Sequence, residues 1–120
     1  MSSILIADDE KNMLISLKAI LQDEGYDTHT CDSGELALDL LSKRKFDVLI
    51  TDLKMSGMTG LTLLQKINEI NLSIPVILIT AYATPKSAVE AIKSGAFDYI
   101  PKPFDPEEML FSIRKAFEFS

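Results

Sequence analysis

What most constrains the fold of this chain is an alternation: short apolar runs of strand length take turns with longer stretches whose apolar residues recur at helical spacing. That rhythm belongs to βα units wound around a parallel sheet, because parallel strands need crossovers and each crossover helix covers a face. Candidate strands fall near residues 3 to 7, 27 to 31, 47 to 51, 75 to 79 and 97 to 100. Candidate helices fall near 11 to 24, 33 to 44, 60 to 71, 85 to 94 and 106 to 118. Their sheet-facing sides read Leu14, Leu17, Leu21; Ala37, Leu40, Leu41; Leu64, Ile67, Asn71; and Leu110, Ile113, Phe117. Asp105-Pro106-Glu107-Glu108 and Thr84-Pro85 open helices, whereas Gly25 and Gly95 stand where a left-handed residue closes them.

The composition of each run orders the sheet. Strands buried on both faces read as continuous apolar runs, as the first, third and fourth do; Asp27-Thr28-His29-Thr30-Cys31 is half polar and suits an edge. The fifth run is short and mixed, so it takes the other edge. Right-handed crossovers on both faces then give the order 2-1-3-4-5, with its reversal between the first and third strands. Ligands of such sheets bind outside the carboxyl ends at that reversal. Asp8 and Asp9 fall there, just after Ile4-Leu5-Ile6-Ala7, and so does Asp52, just after Val48-Leu49-Ile50. Thr80 and Lys102 end or follow the fourth and fifth runs.

Three carboxylates brought together repel one another unless a proton or cation intervenes, so the arrangement does not serve stability. Clustered hard oxygen donors suit Mg²⁺, which is held by a few carboxylates plus a substrate phosphate, and the scarcity of Cys and His disfavours zinc. A dipole-favoured helix start would explain Asp8-Asp9-Glu10 but not Asp52 as well. Asp52 is then the candidate nucleophile toward phosphorus, with Mg²⁺ and Lys102 neutralising the oxygens on which charge develops. Taken alone, Lys102 reads as a solvated lysine. Pro101 and Pro103 fix its backbone, and the Lys102-Pro103 bond is a candidate cis peptide. Thr80 has a hydroxyl to offer a phosphoryl oxygen, although a strand-ending Thr is ordinarily a cap. Tyr99 reads as a core aromatic close in sequence to Lys102.

At 120 residues and 47% hydrophobic, the chain fits one domain with one core. Its net charge of -6 argues against nucleic-acid binding by this domain, which needs a basic patch. Cys31 stands alone, so no intrachain disulfide forms, and no apolar stretch reaches membrane-spanning length or resembles a signal peptide. The compartment expected is the cytoplasm. Met55 and Met58 read as packing residues, His29 and Cys31 as edge-strand residues, and Lys43-Arg44-Lys45 as a solvated helix end.

D-D-E at 8 to 10, D-L-K-M at 52 to 55, T-A at 80 to 81 and F-D-Y-I-P-K-P-F at 97 to 104 resemble the receiver domains of two-component response regulators, over the whole chain. The resemblance implies a flavodoxin-like (βα)5 three-layer sandwich and a sensor histidine kinase as phosphodonor. It implies Asp52 as phosphoacceptor, and direct Mg²⁺ ligation by Asp9, Asp52 and the backbone carbonyl of Lys54, with Asp8 assisting through water. It also implies Thr80 and Tyr99 as a switch pair and Lys102 against the phosphoryl group. Ser56 stands where many relatives have Pro and Thr59 where many have Asp; neither is expected to touch the chemistry. G-A-F-D-Y-I-P-K-P-F is most similar to receivers of nitrogen-regulator-type activators, which carry an AAA+ ATPase and a DNA-binding segment. The ending at Phe117-Glu118-Phe119-Ser120 suggests that residues 1 to 120 are the amino-terminal part of a larger regulator, and homodimerisation through the fourth helix, fifth strand and fifth helix is a further expectation.

Other readings compete. The chain would act through protein contact alone if it were a single-domain receiver. Haloacid-dehalogenase-type phosphatases also use a strand-end aspartate and Mg²⁺, but resemble one another through a second Asp two residues on, where this chain has Lys54. Flavodoxins share the fold expected here, yet the loop Asp8-Asp9-Glu10-Lys11-Asn12 opposes a flavin phosphate unless metal is present. The reading is therefore a self-phosphorylating switch, not an enzyme with turnover as its purpose.

Overall fold

A computed structural model describes residues 2–118. Five βα units follow in order: β1 (Ser3–Ala7), α1 (Lys11–Asp23), β2 (Asp27–Cys31), α2 (Gly34–Lys43), β3 (Val48–Asp52), α3 (Gly60–Glu69), β4 (Val76–Thr80), α4 (Pro85–Lys93), β5 (Asp98–Pro101) and α5 (Pro106–Glu118). The strands form one parallel sheet in the order β2-β1-β3-β4-β5, as strand composition predicts. Phe119 and Ser120, which end the segment that suggested a larger parent, lie outside the described residues.

Period-two alternation along the strands builds the two faces. Ile4, Ile6, Val48, Ile50, Ile77, Ile79 and Ile100 pack with Leu17 and Leu21 of α1 and Met109, Ile113 and Ala116 of α5. The intervening Leu5, Ala7, Leu49, Val76 and Leu78 pack with α2, α3 and α4 through Ala37, Leu41, Leu63, Leu64, Ile67 and Ala91. The sheet is thus the middle of three layers.

Two expectations need correcting. β3, β4 and β5 begin and end one residue later than predicted, because the apolar run stops before Asp52, Thr80 and Pro101 while the backbone ladder continues. Asp52 still lies opposite Ile79, and Thr80 opposite Pro101. Asn71 is not part of a sheet-facing helical side: α3 ends at Glu69, and Leu63 completes its buried face with Leu64 and Ile67. Asn71 instead takes a left-handed φ of 57°. Its N–H donates to Asn68 O at 3.1 Å and that of Leu72 to Ile67 O at 3.2 Å, the Schellman closure that Gly25 and Gly95 give to α1 and α4. The Lys102-Pro103 peptide is cis, as suspected from sequence.

This layering leads to a contrast between two isoleucines. Ile77 is 0% exposed at the centre of the sheet and Ile15 on α1 is 59% exposed. Ile77→Ala should lower unfolding free energy by about 2 to 5 kcal/mol and Ile15→Ala by about 0.5 kcal/mol or less, read from urea midpoints. Equal losses would contradict the assigned layers.

Candidate functional site

The alternation that builds the layers also sorts the residues at the strand ends. Asp8 continues the parity of Ile4 and Ile6, Asp52 that of Val48 and Ile50, and Lys102 that of Ile100, so all three belong to the α1/α5 side. Thr80 follows Val76 and Leu78, and Tyr99 pairs with Leu78, so these two belong to the α4 side. A one-residue slip in any strand would move its member to the wrong face.

On the first side the contacts are direct. Lys102 Nζ donates to Asp8 Oδ2 at 3.1 Å and to Asp52 Oδ2 at 3.2 Å. Asp8 is 2% exposed and Asp52 8%. Asp8 Oδ1 also accepts the Glu10 N–H at 2.9 Å, and Asp52 Oδ1 accepts that of Lys54 at 3.3 Å. Asp9 is the exposed member, yet one oxygen each from Asp8, Asp9 and Asp52 lies within 4.8 Å of the others. Three hard oxygen donors at that spacing fit a divalent cation held with waters. Burial raises the Asp52 pKa above its ordinary value; Lys102 opposes the shift and Asp8 adds to it. Burial acts to lower the Lys102 pKa, but hydrogen bonding and charge from Asp8 and Asp52 outweigh it, and the value ends raised. The two directions are compatible: the ammonium is paired with two carboxylates, whereas Asp52 has to share that ammonium with Asp8 and is itself buried.

Asp9, Glu10, Asp52, Lys54, Met55, Ser56, Ala81, Tyr82 and Lys102 line one open pocket over these groups. At its mouth Lys54 Nζ lies 4.6 Å from the centre of the Tyr82 ring. Thr80 is buried next to this pocket and does not line it; its Oγ1 accepts the Tyr82 N–H at 3.0 Å. Tyr99 is half-buried, and its hydroxyl lies 2.6 Å from Ser87 Oγ. Ser87 in turn forms a capping box with Thr84 at the start of α4. The structure therefore brings Asp8, Asp9, Asp52 and Lys102 together, and sets Thr80 and Tyr99 behind them toward α4.

Three residues escaped the sequence reading. Ser56 was expected to stay clear of the site, but its N–H and hydroxyl reach Asp9 Oδ2 at 3.0 and 3.3 Å, because the loop after β3 folds back over the loop after β1. At Gly60 a Cβ would collide with the carbonyl oxygen of Asp52, so only glycine lets α3 start this close to the site. Ser87 joins Tyr99 to α4. A glycine directly after the capping Thr59 was the only one of these signals visible in the sequence.

The raised Asp52 value gives a pH test. A carboxyl whose folded-state pKa is raised supplies its stability while protonated and loses it as pH climbs through that value. In EDTA, Asp52→Asn should therefore gain over wild type as pH rises from the ordinary value of 3.8 toward neutrality, followed by urea midpoints. An advantage that shrinks over that interval would contradict the burial argument. The raised Lys102 value acts in the same sense but only at alkaline pH: its contribution is complete below the ordinary 10.5 and constant across this range.

Comparison with known proteins agrees with this geometry. Residues 4–114 match the response regulator receiver domain family. The chain is 39% identical over 115 residues to the regulatory protein AtoC of Escherichia coli K12, covering 96% of this chain and 25% of AtoC. It is 40% identical over 114 residues to the heme response regulator HssR of Staphylococcus epidermidis, covering 95% of this chain and 50% of HssR. The chain thus spans half or less of the length of these relatives. Among solved structures, the beryllofluoride-activated NtrC4 receiver domain dimer superposes with a TM-score of 0.93 at 36% identity, covering 98% of each chain. A match running from the first strand into the fifth helix, over a sheet with an acidic group at its carboxyl edge, leaves one conclusion: the chain belongs to the response regulator receiver domains, the signalling switches of two-component systems.

Proposed function

We propose that this receiver accepts a phosphoryl group from a sensor histidine kinase onto Asp52, and that it is the amino-terminal, cytoplasmic part of a longer regulator with transcriptional output. The observation that carries this reading is Lys102 lying between Asp8 and Asp52, with Asp9 in the same oxygen group. An Asp52 oxygen attacks phosphorus, a new O–P bond forms, and the bond to the donor nitrogen breaks with its electron pair leaving on the donor. Bound Mg²⁺, with Asp8, Asp9, Asp52 and the Lys54 carbonyl as its protein partners, would supply charge neutralisation at the phosphoryl oxygens. Lys102 contributes the second positive charge. Slow return to the carboxylate by water would limit the lifetime of the signal.

The readout uses the α4 side. Thr80 turns its hydroxyl toward the new phosphoryl oxygen, and Tyr99 moves inward and gives up its hydrogen bond to Ser87, loosening the first turn of α4. Such a ligand shifts an existing equilibrium by its differential affinity for the two states. Val89 and Ile92 on α4 and Phe111 on α5 are exposed apolar residues, which supports a dimer through α4, β5 and α5. The dimer named for the NtrC4 receiver is consistent with that arrangement. An ATPase and a DNA-binding segment beyond this domain would complete a regulator of the nitrogen-regulator type that the sequence resembles.

Intact-mass measurement after incubation with acetyl phosphate tests the chemistry. Wild type with Mg²⁺ should gain one phosphoryl group, and Asp52→Asn, or wild type in EDTA, should gain none. Thr80→Ala should still be labelled while the NMR shifts around Tyr99 respond far less than in wild type. Labelling undiminished by Asp52→Asn would overturn the assignment, and a full response in Thr80→Ala would remove it from the switch.

A further inference from the structure

We infer that Ser56 is a positioning residue for the divalent ion, its N–H and hydroxyl holding the Asp9 carboxylate ready as a ligand and so setting the affinity of the site for Mg²⁺. This deepens the metal reading above and rests on it. Asp8 and Asp52 are fixed by Lys102, but Asp9 is exposed and makes no ion pair among the described residues. An exposed carboxylate on a loop loses rotamer freedom when it binds an ion, which weakens binding unless something has already fixed it. Here Ser56 fixes it, with two donors on Oδ2 at 3.0 and 3.3 Å. Among the described residues no donor reaches Oδ1, which is left for a cation.

The loop that carries Ser56 is itself anchored. Gly57 takes a φ of 78°, the Met58 N–H donates to Glu35 Oε2 at 3.3 Å, and the Gly60 N–H donates to Leu53 O at 2.9 Å. Ser56 is therefore presented to Asp9 from a fixed backbone. Donors that orient a ligating carboxylate hold it in its binding geometry before the ion arrives. A proline at this position would have neither the N–H nor the hydroxyl. The serine is thus a device for tuning metal affinity without adding a ligand.

Isothermal titration of MgCl₂ into the metal-stripped 120-residue chain tests the inference. Loss of an outer partner weakens metal affinity by about 10- to 100-fold, so Ser56→Ala, which keeps the amide, should bind Mg²⁺ about 10-fold more weakly than wild type. Ser56→Pro, which removes both donors, should approach the upper end of that range. Ser56→Thr should restore wild-type affinity, and urea midpoints in EDTA should change little between Ser56→Ala and Ser56→Thr, which separates positioning from a folding defect. Wild-type affinity in Ser56→Ala, with binding lost in Asp9→Asn, would overturn the role of Ser56 and leave the metal site standing. Equal weakening in Ser56→Thr and Ser56→Ala would also overturn it. A wild type that binds no Mg²⁺ would overturn the metal reading itself.

Discussion

The arrangement at the carboxyl edge of the sheet depends on one imbalance: two buried carboxylates, Asp8 and Asp52, share the single ammonium of Lys102. The ammonium is held firmly and the carboxylates are left with uncompensated charge, with burial pushing Asp52 toward its protonated form. Such a site has a standing affinity for additional positive charge and for a change at Asp52 itself. Asp9, close by and exposed, adds a third oxygen to the same group. The metal-free fold is therefore under electrostatic tension, which a bound cation would relieve.

The sheet divides the strand-end residues between its two sides. Asp8, Asp52 and Lys102 continue the face packed against α1 and α5, whereas Thr80 and Tyr99 continue the face that packs α4. In the proposed switch, chemistry and readout would thus share the ends of the same few strands without competing for space. The Tyr99 hydroxyl against Ser87 extends the second side into the capping box of α4, so a local movement at β5 bears on the first turn of a helix with exposed apolar residues.

Most of this was legible in the sequence because it follows from periodicity. Continuous apolar runs marked β1, β3 and β4 as interior, a half-polar run marked β2 as an edge, and the strand ends then located Asp8, Asp9, Asp52, Thr80 and Lys102 together. What was misread depended on backbone geometry, which apolar spacing does not record. The strands run one residue past their last apolar side chain because pairing is indifferent to side-chain polarity. Asn71 sits at helical spacing from Ile67, yet it closes α3 in the left-handed region. Ser56 is distant from Asp9 in sequence, and only the fold of two loops brings its donors to that carboxylate. Gly60 owes its necessity to a carbonyl oxygen eight residues away, which no local pattern reveals.

The most direct test of the central claim, that charge repulsion at Asp8 and Asp52 is held in check by Lys102 and relieved by a cation, compares urea midpoints of wild type and Asp52→Asn at neutral pH, in EDTA and in saturating Mg²⁺. In EDTA the variant should be the more stable, since it removes a charge at nearly constant volume. Mg²⁺ should reverse or shrink that gap, because an ion at a hundred times its dissociation constant stabilises the wild-type site by about 2.7 kcal/mol and the variant by less. A variant no more stable than wild type in EDTA, with both proteins gaining equally from Mg²⁺, would contradict the account.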